Sequence, residues 1–200
     1  GVNITLLAHK VSKMGYEGLE FAYGIPGSVG GAVYMNAGAY GGALSDVVYE
    51  STAIDENGKF VTFSKDEHGF SYRDSAFIHN GYTVVSTTLK LKKGDKAQIA
   101  AEMEGYMQSR KDKQPLDKPS AGSVFKRPEG YFAGKLVQDA GLKGKTIGGA
   151  QVSEKHSGFL INIGGATAQD ILDLIAFCQK EVKDQFGVTL ETEVKIVGEE

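Results

Sequence analysis

Two hundred residues with 41% hydrophobic and 24% charged side chains describe an ordinary globular chain, long enough for one sizeable domain or two small ones. A formal charge of −3 argues against a dedicated nucleic-acid binder, and a single cysteine excludes a disulfide framework or a multi-cysteine metal site. Twenty-seven glycines against four prolines point to tight backbone geometry rather than flexible linker. In chain order, residues 4–14 place Ile4, Leu7, Val11 and Met14 on one helical face, with Gly15 as a stop. The glycine-rich run 24–42 follows, inside an uncharged stretch from Phe21 to Ser45. Glycines, Pro26 and Asn36 interrupt that stretch, so it is not read as a membrane span. Residues 47–54 read as a strand, 55–58 as a turn, and Lys59 to Phe63 as the return strand of a hairpin. Tyr82 to Lys92 alternates, with Val85, Thr87, Leu89 and Leu91 as its apolar face.

After residue 93 the style changes. Residues 95–113 read as a helix with Ile99, Met103, Tyr106 and Met107 on a stripe, ended by a polar segment with Pro115 and Pro119. Residues 131–140 suggest a short helix closed by Gly141, and 146–152 and 158–163 suggest strands. Residues 167–186 carry the clearest helical pattern, with Thr167 and Asp170 as a capping box and Ile171, Ile175, Cys178 and Val182 as the buried stripe. Glu193 to Val197 reads as a last short strand. A strand- and glycine-rich first half followed by an alternating α/β second half places a boundary near residues 93–96.

Several chemistries fail on spacing. Gly24, Gly27 and Gly30 are three apart and do not fit the dinucleotide fingerprint, while Gly144-Lys145-Thr146 has the tail of a P-loop but Asp139 where its first glycine belongs. His9, His68, His79 and His156 show no metal-ligand spacing, so no metal site is expected. Cys178 sits on an apolar stripe and reads as a core residue. No Gly-x-Ser-x-Gly elbow is present.

The strongest feature is the run from Gly24 through Ile25, Pro26, Gly27, Ser28, Val29, Gly30 and Gly31 to Asn36, Ala37, Gly38 and Gly41. Closely spaced glycines let backbone N–H groups approach an anion, and Ser28 is a good N-cap for a short helix reaching about Met35. By spacing alone, a tight structural turn is an equal reading. This run resembles the flavin-binding signature of the UDP-N-acetylenolpyruvoylglucosamine reductase family, also called UDP-N-acetylmuramate dehydrogenases. Tyr72-Arg73-Asp74-Ser75, Pro119 through Ser123 to Pro128, Ala140 to Val152, and Leu190 to Gly198 match the same family in the same order, so the resemblance spans essentially the whole chain.

The resemblance implies an α+β fold. Residues 1–94 would be the second lobe of a two-lobed FAD-binding domain of the vanillyl-alcohol-oxidase type. Residues 95–200 would be a small α/β substrate-binding domain. Within these residues no segment matches the family's N-terminal flavin-binding lobe, and the short spacing from Ser123 to Glu193 resembles the family's shorter architectural type. The implied activity is that of an NADPH-dependent FAD enzyme. It converts UDP-N-acetylglucosamine enolpyruvate to UDP-N-acetylmuramate for cell-wall synthesis, in the cytoplasm. Gly24 to Gly31 and Asn36 to Gly38 are then the cofactor residues, and Arg73, Ser123 and Glu193 the catalytic ones. Ser123 would donate a proton, Arg73 would stabilise an enolate-like intermediate through its planar fork, and Glu193 would polarise the substrate carboxylate. Outside the resemblance, Ser123 reads as a turn serine, Arg73 as a surface ion-pair residue, and strand alternation leaves Glu191 and Glu193 unseparated.

Residues 110–145 carry nine basic and four acidic side chains. That local excess reads as a diphosphate cradle, with Lys113 and Arg127 first among its members, or as a solvated basic surface. His156 is placed near the uridine end. Two other functions stay open at this point: a nucleotide-sugar-binding module without catalysis, and another FAD oxidoreductase of the same superfamily.

Overall fold

The computed structural model describes residues 1–198 and divides into two compact units, Gly1–Ser109 and Arg110–Glu200. The first unit opens with α1 (Ile4–Lys13). Asn3 caps it by accepting a bond from Leu6 N at 3.0 Å, which gives the residue a structural reason to be there. Ile4, Ala8 and Ser12 form the buried stripe of α1, with Leu7 and Val11 packed beside them. Met14, expected on that face, is instead the C-cap and is 53% exposed, because the stripe advances by four residues per turn and leaves position 14 outside.

Next come β1 (Tyr16–Glu17), α2 (Val29–Tyr34), β2 (Gly38–Ala39), β3 (Gly42–Ala43) and α3 (Leu44–Val47). A three-stranded antiparallel sheet follows, in the order β5-β4-β6, from β4 (Val48–Ile54), β5 (Phe60–Ser64) and β6 (Thr83–Leu89). The hairpin turn forms as expected, with Asp55 Oδ1 accepting from Asn57 N and Lys59 N and Gly58 at φ 79°. The apolar face of β6 differs from expectation. The pairing register shifts between Thr52 and Ala53, which oppose Ser86 and Val84, so Val85 falls on a bulge and is 52% exposed while Val84 packs on the core. Helix α4 (Ala76–Asn80) lies in the loop before β6, and β7 (Lys92–Lys93) pairs with β1. The core of this unit gathers Ile4, Leu19, Val33, Leu44, Val48 and Phe77.

Helix α5 (Lys96–Lys113) contains the dividing point. Its Ile99 and Met103 belong to the first core, and for that reason the division falls beyond the expected residue 94.

The second unit holds a four-stranded antiparallel sheet ordered β8-β11-β10-β9, from β8 (Ser120–Ser123), β9 (Thr146–Ile147), β10 (Ala150–Val152) and β11 (Phe159–Asn162). The expected strand 146–152 is two strands, because Gly148 at φ 53° starts a turn between them. Helices α6 (Ala133–Asp139) and α7 (Ala168–Phe186) complete the unit. The α7 capping box is present, with Thr167 Oγ1 accepting from Asp170 N and Asp170 Oδ2 accepting from Thr167 N, and Gly187 ends the helix at φ 71°. Leu174 replaces Ile171 among the fully buried residues of its stripe, which otherwise holds Ile175, Cys178 and Val182 as expected. Residues 193–197 are not a strand. A single bridge joins Thr192 to Phe125, and the chain bends after it.

Candidate active site

The glycine-rich run in the first unit is strapped to the start of α1. Ile4 N donates to Gly27 O at 3.1 Å and Val29 N to Val2 O at 2.8 Å, while Thr5 Oγ1 donates to Ile25 O and accepts from Gly24 N. Pro26 is exposed in the turn between these ties. Ser28 Oγ accepts from Gly31 N at 3.1 Å, so α2 begins where the sequence placed it. The glycines divide by purpose. Gly30 packs closely, since a Cβ built on it would lie 3.2 Å from Val84 O. Gly38 is tighter still, at 2.6 Å from Gly42 O. Gly27 is different: its φ of 136° demands glycine, and a built Cβ meets nothing within 4 Å. Bare backbone open on its outer side is what a close-lying cofactor requires, so Gly27 and the first turn of α2 fit the flavin expected here.

Asn36, Tyr40 and Arg73 are the non-glycine residues with positive φ among the described residues, at 43°, 52° and 55°. Asn36 and Arg73 meet at one turn, while Tyr40 stacks on Tyr106. Ser71 and Asp74 exchange backbone bonds of 3.2 and 3.3 Å, making a narrow turn with Tyr72 and Arg73 at its tip. Arg73 Nη2 donates to Gly38 O at 2.9 Å, and its guanidinium lies 4.9 Å from the centre of the Tyr72 ring. Asn36 is buried, and its side chain serves the protein: Nδ2 donates to Ser71 O at 2.8 Å and Oδ1 accepts from Ser45 N at 2.9 Å. Ser75 Oγ donates to Tyr34 O at 2.7 Å. Thr5 and Ser71 were given no role from the sequence, and Ser75 stood there only as the last residue of the Tyr72–Ser75 motif. Each acts on a partner twenty or more positions away, and no local pattern announces such a bond.

In the second unit Ser123 ends the edge strand β8, opposite Phe159, rather than sitting in an isolated turn. It is exposed, and its Oγ reaches Phe125 O at 3.4 Å. The segment carrying Glu193 runs alongside, with Glu193 N donating to Val124 O at 2.7 Å and Lys126 N to Glu191 O at 2.8 Å. The bend that carries Glu193 therefore lies beside the residues that follow Ser123. The structure also separates the two glutamates: Glu191 is exposed and ion-pairs with Lys126 at 3.3 Å, whereas Glu193 is half-buried.

His156 stands beside Ser123, for both the imidazole and the Ser123 hydroxyl lie within 3.5 Å of the position a Cβ would take on Gly158. Its Nδ1 accepts from Gly158 N at 3.1 Å, so the ring proton resides on Nε2, and burial pushes its pKa down, favouring the neutral ring.

The basic stretch is thinner than its sequence suggests. Arg110 is buried, Lys135 bonds Asp139, Lys126 bonds Glu191, and Lys145 lies over the Phe177 ring. Arg127 stacks 4.1 Å from the centre of the exposed Phe132 ring, and Lys113 is exposed at the end of α5. A cavity of about 420 Å³ in the first unit is lined by none of the expected site residues. Its carboxylates, Glu17, Glu20, Asp46, Asp95 and Glu102, would repel a diphosphate.

Comparison with known proteins gives two family matches in chain order. One is an FAD binding domain over residues 1–64, and the other is the C-terminal domain of UDP-N-acetylenolpyruvoylglucosamine reductase over residues 114–197. A relative from Clostridium novyi named UDP-N-acetylenolpyruvoylglucosamine reductase is 57% identical over all 200 residues. One of the same name from Shouchella clausii is 52% identical, also over the whole chain. The chain spans 65% and 64% of the lengths of these two relatives. The crystal structure of the reductase from Thermus caldophilus is similar at 37% identity and a TM-score of 0.85, covering 96% of this chain and 69% of that one.

Proposed function

Since this chain belongs to the UDP-N-acetylenolpyruvoylglucosamine reductase family, we propose that it carries much of the site of an NADPH-dependent flavoenzyme, one that reduces UDP-N-acetylglucosamine enolpyruvate to UDP-N-acetylmuramate in the cytoplasm for peptidoglycan synthesis. The observation that supports this most is the guanidinium of Arg73, fixed on Gly38 O at the edge of the cofactor run. When bound, FAD supplies the hydride, which it takes from NADPH and which ends on the enolpyruvyl methylene.

The chain's own residues do the rest. Gly27 and the first turn of α2 give the cofactor bare backbone to lie against. Arg73 offers a planar fork of donors to the substrate carboxylate, where negative charge grows as hydride arrives. Ser123 gives its hydroxyl proton to the carbon beside that carboxylate, and solvent returns a proton to the serine. Glu193, half-buried in the bend beside the end of β8, donates from its carboxyl O–H to the carboxylate side of the intermediate. Lys113 and Arg127 hold the diphosphate by charge. His156, expected at the uridine end, stands beside Ser123 and gives the reacting end a neutral donor on Nε2 without adding charge.

Calorimetric titration of the 200-residue chain tests the assignment. The enolpyruvyl UDP-sugar binds, and its affinity falls with added salt because exposed phosphate contacts are screened. Tight FAD binding with no heat from the UDP-sugar overturns the assignment.

A further inference from the structure

Helix α2 ends in a way that asks for one of two residues. Met35 is its C-cap, Asn36 N donates to Val33 O at 3.1 Å, and Ala37 N donates to Ala32 O at 2.8 Å. That pair of bonds is the Schellman closure, and it needs a left-handed residue in the position Asn36 fills at φ 43°. Glycine satisfies that need as well as asparagine does. The amide side chain is therefore surplus to stopping the helix, and the structure shows where the surplus goes. It donates to Ser71 O and accepts from Ser45 N, and it is buried while doing so.

We propose that Asn36 is the positioning residue for Arg73, holding the turn that carries the guanidinium against the end of the cofactor helix. Two ties grip the two feet of that turn. One runs from Asn36 Nδ2 to Ser71 O at 2.8 Å, the other from the fully buried Ser75 Oγ to Tyr34 O at 2.7 Å. Both land on the last turn of α2 or the residue that closes it. The tip then folds back, and Arg73 Nη2 reaches Gly38 O, two residues beyond Asn36. Arg73 holds a left-handed φ of 55°, a conformation that a non-glycine residue keeps only when its surroundings enforce it. The ties supply the enforcement. By this arrangement the segment that receives the flavin also fixes the angle at which the fork meets the substrate carboxylate. The inference rests on the proposed role of Arg73.

Two variants separate geometry from chemistry. N36G keeps the helix stop and deletes both side-chain bonds. N36D keeps the shape, the left-handed preference and the bond from Ser45 N, but sets a carboxylate oxygen against Ser71 O. In the 200-residue chain, both should speed amide hydrogen exchange at Ser71 and Asp74 while exchange in α7 stays unchanged.

In a flavin-loaded enzyme that carries this chain, each variant should slow reoxidation by the enolpyruvyl substrate roughly 10–100-fold, the usual cost of a misplaced group. The same change placed on an Arg73→Ala background should add almost nothing, because the residue it positions is gone. Equal slowing on both backgrounds, or unaltered exchange at Ser71 and Asp74, overturns the inference. If Arg73→Ala alone leaves reoxidation at the native rate, the role of Arg73 fails, and this inference fails with it; a slow Arg73→Ala beside native-rate N36G and N36D overturns only the part given to Asn36.

Discussion

Ser123→Ala offers a test in which folding and chemistry come apart. The hydroxyl does little for the fold: the residue is exposed at the end of an edge strand, and its contact with Phe125 O, at 3.4 Å, is at the long limit of a hydrogen bond. An exposed substitution of this kind changes stability by about 0.5 kcal/mol or less, which moves the melting temperature by at most about 2 °C in a protein of this size. A positioned general acid is worth roughly 10²–10⁴ in rate, or about 2.7–5.4 kcal/mol of barrier. The two quantities differ enough that one cannot be mistaken for the other. Stopped-flow absorbance on the flavin-loaded enzyme separates the half-reactions. Reduction of the flavin by NADPH needs no proton at the substrate carbon and should keep its rate. Reoxidation by the enolpyruvyl substrate should slow by the factor above, with the melting curve nearly superimposed on the native one. Native-rate reoxidation would show that Ser123 is not the acid. Collapse of the reduction phase instead would mean that it positions cofactor, and a large fall in melting temperature would mean that its exposure misled the argument.

Gly42→Ala drives a Cβ to 2.6 Å from Cδ1 of the buried Phe21 ring, so overpacking should cost about 1–3 kcal/mol and lower the melting temperature by roughly 2–12 °C; an unchanged curve refutes it. Burial pushes the Cys178 thiol up to about 12, so iodoacetamide at mildly alkaline pH should label it only after denaturation, and equal labelling of folded and unfolded protein counts against the burial argument. Burial holds His156 below its ordinary 6.5, so the unfolded chain binds the extra proton first; the stabilisation is complete above 6.5 and is lost as the pH falls toward the lower folded value. Urea midpoints followed downward from neutral pH should fall more steeply for the native chain than for His156→Gln, and parallel slopes dismiss the claim.

The elements that the sequence announced are those whose signals are local. Helix α7 has both ends written in it, Thr167 with Asp170 at one and Gly187 at the other, and α2 opens at Ser28 because a serine there can take the Gly31 N–H. The β4–β5 hairpin is carried by Asp55 and Gly58 in the same way. What failed was non-local. Nothing in residues 120–123 says strand until Phe159 and Ile161 arrive to pair with them, and the alternation at Glu193 gives no hint that pairing stops at Thr192. The bulge at Val85 likewise depends on the register of β4. Helix α5 shows a third kind of failure, since its style resembles the second half of the chain while Ile99 and Met103 serve the core of the first.

The site divides along the same line. Residue type was legible in the motifs, which pick out Gly27, Arg73, Ser123 and Glu193 as the candidates on which the proposed function rests. The division of labour within the motif was not. Gly38 and Gly27 look alike in sequence, yet one is glycine because Gly42 O leaves no room and the other because its φ of 136° demands it although the space outside is open. Asn36 reads as one more polar residue in a cofactor run. A clue was present, because an asparagine directly after a short helix stands where a left-handed closure belongs, and a glycine there would have served the backbone alone. Choosing asparagine in a run already rich in glycine implies that the side chain has a task. The task is visible only once Ser71, thirty-five residues away, is beside it. On the proposed function, Arg73 is thus specified twice, once by its own motif and once by the residue that closes α2. Substitutions at Asn36 should therefore be felt in the chemistry of the carboxylate before they are felt in the stability of the fold.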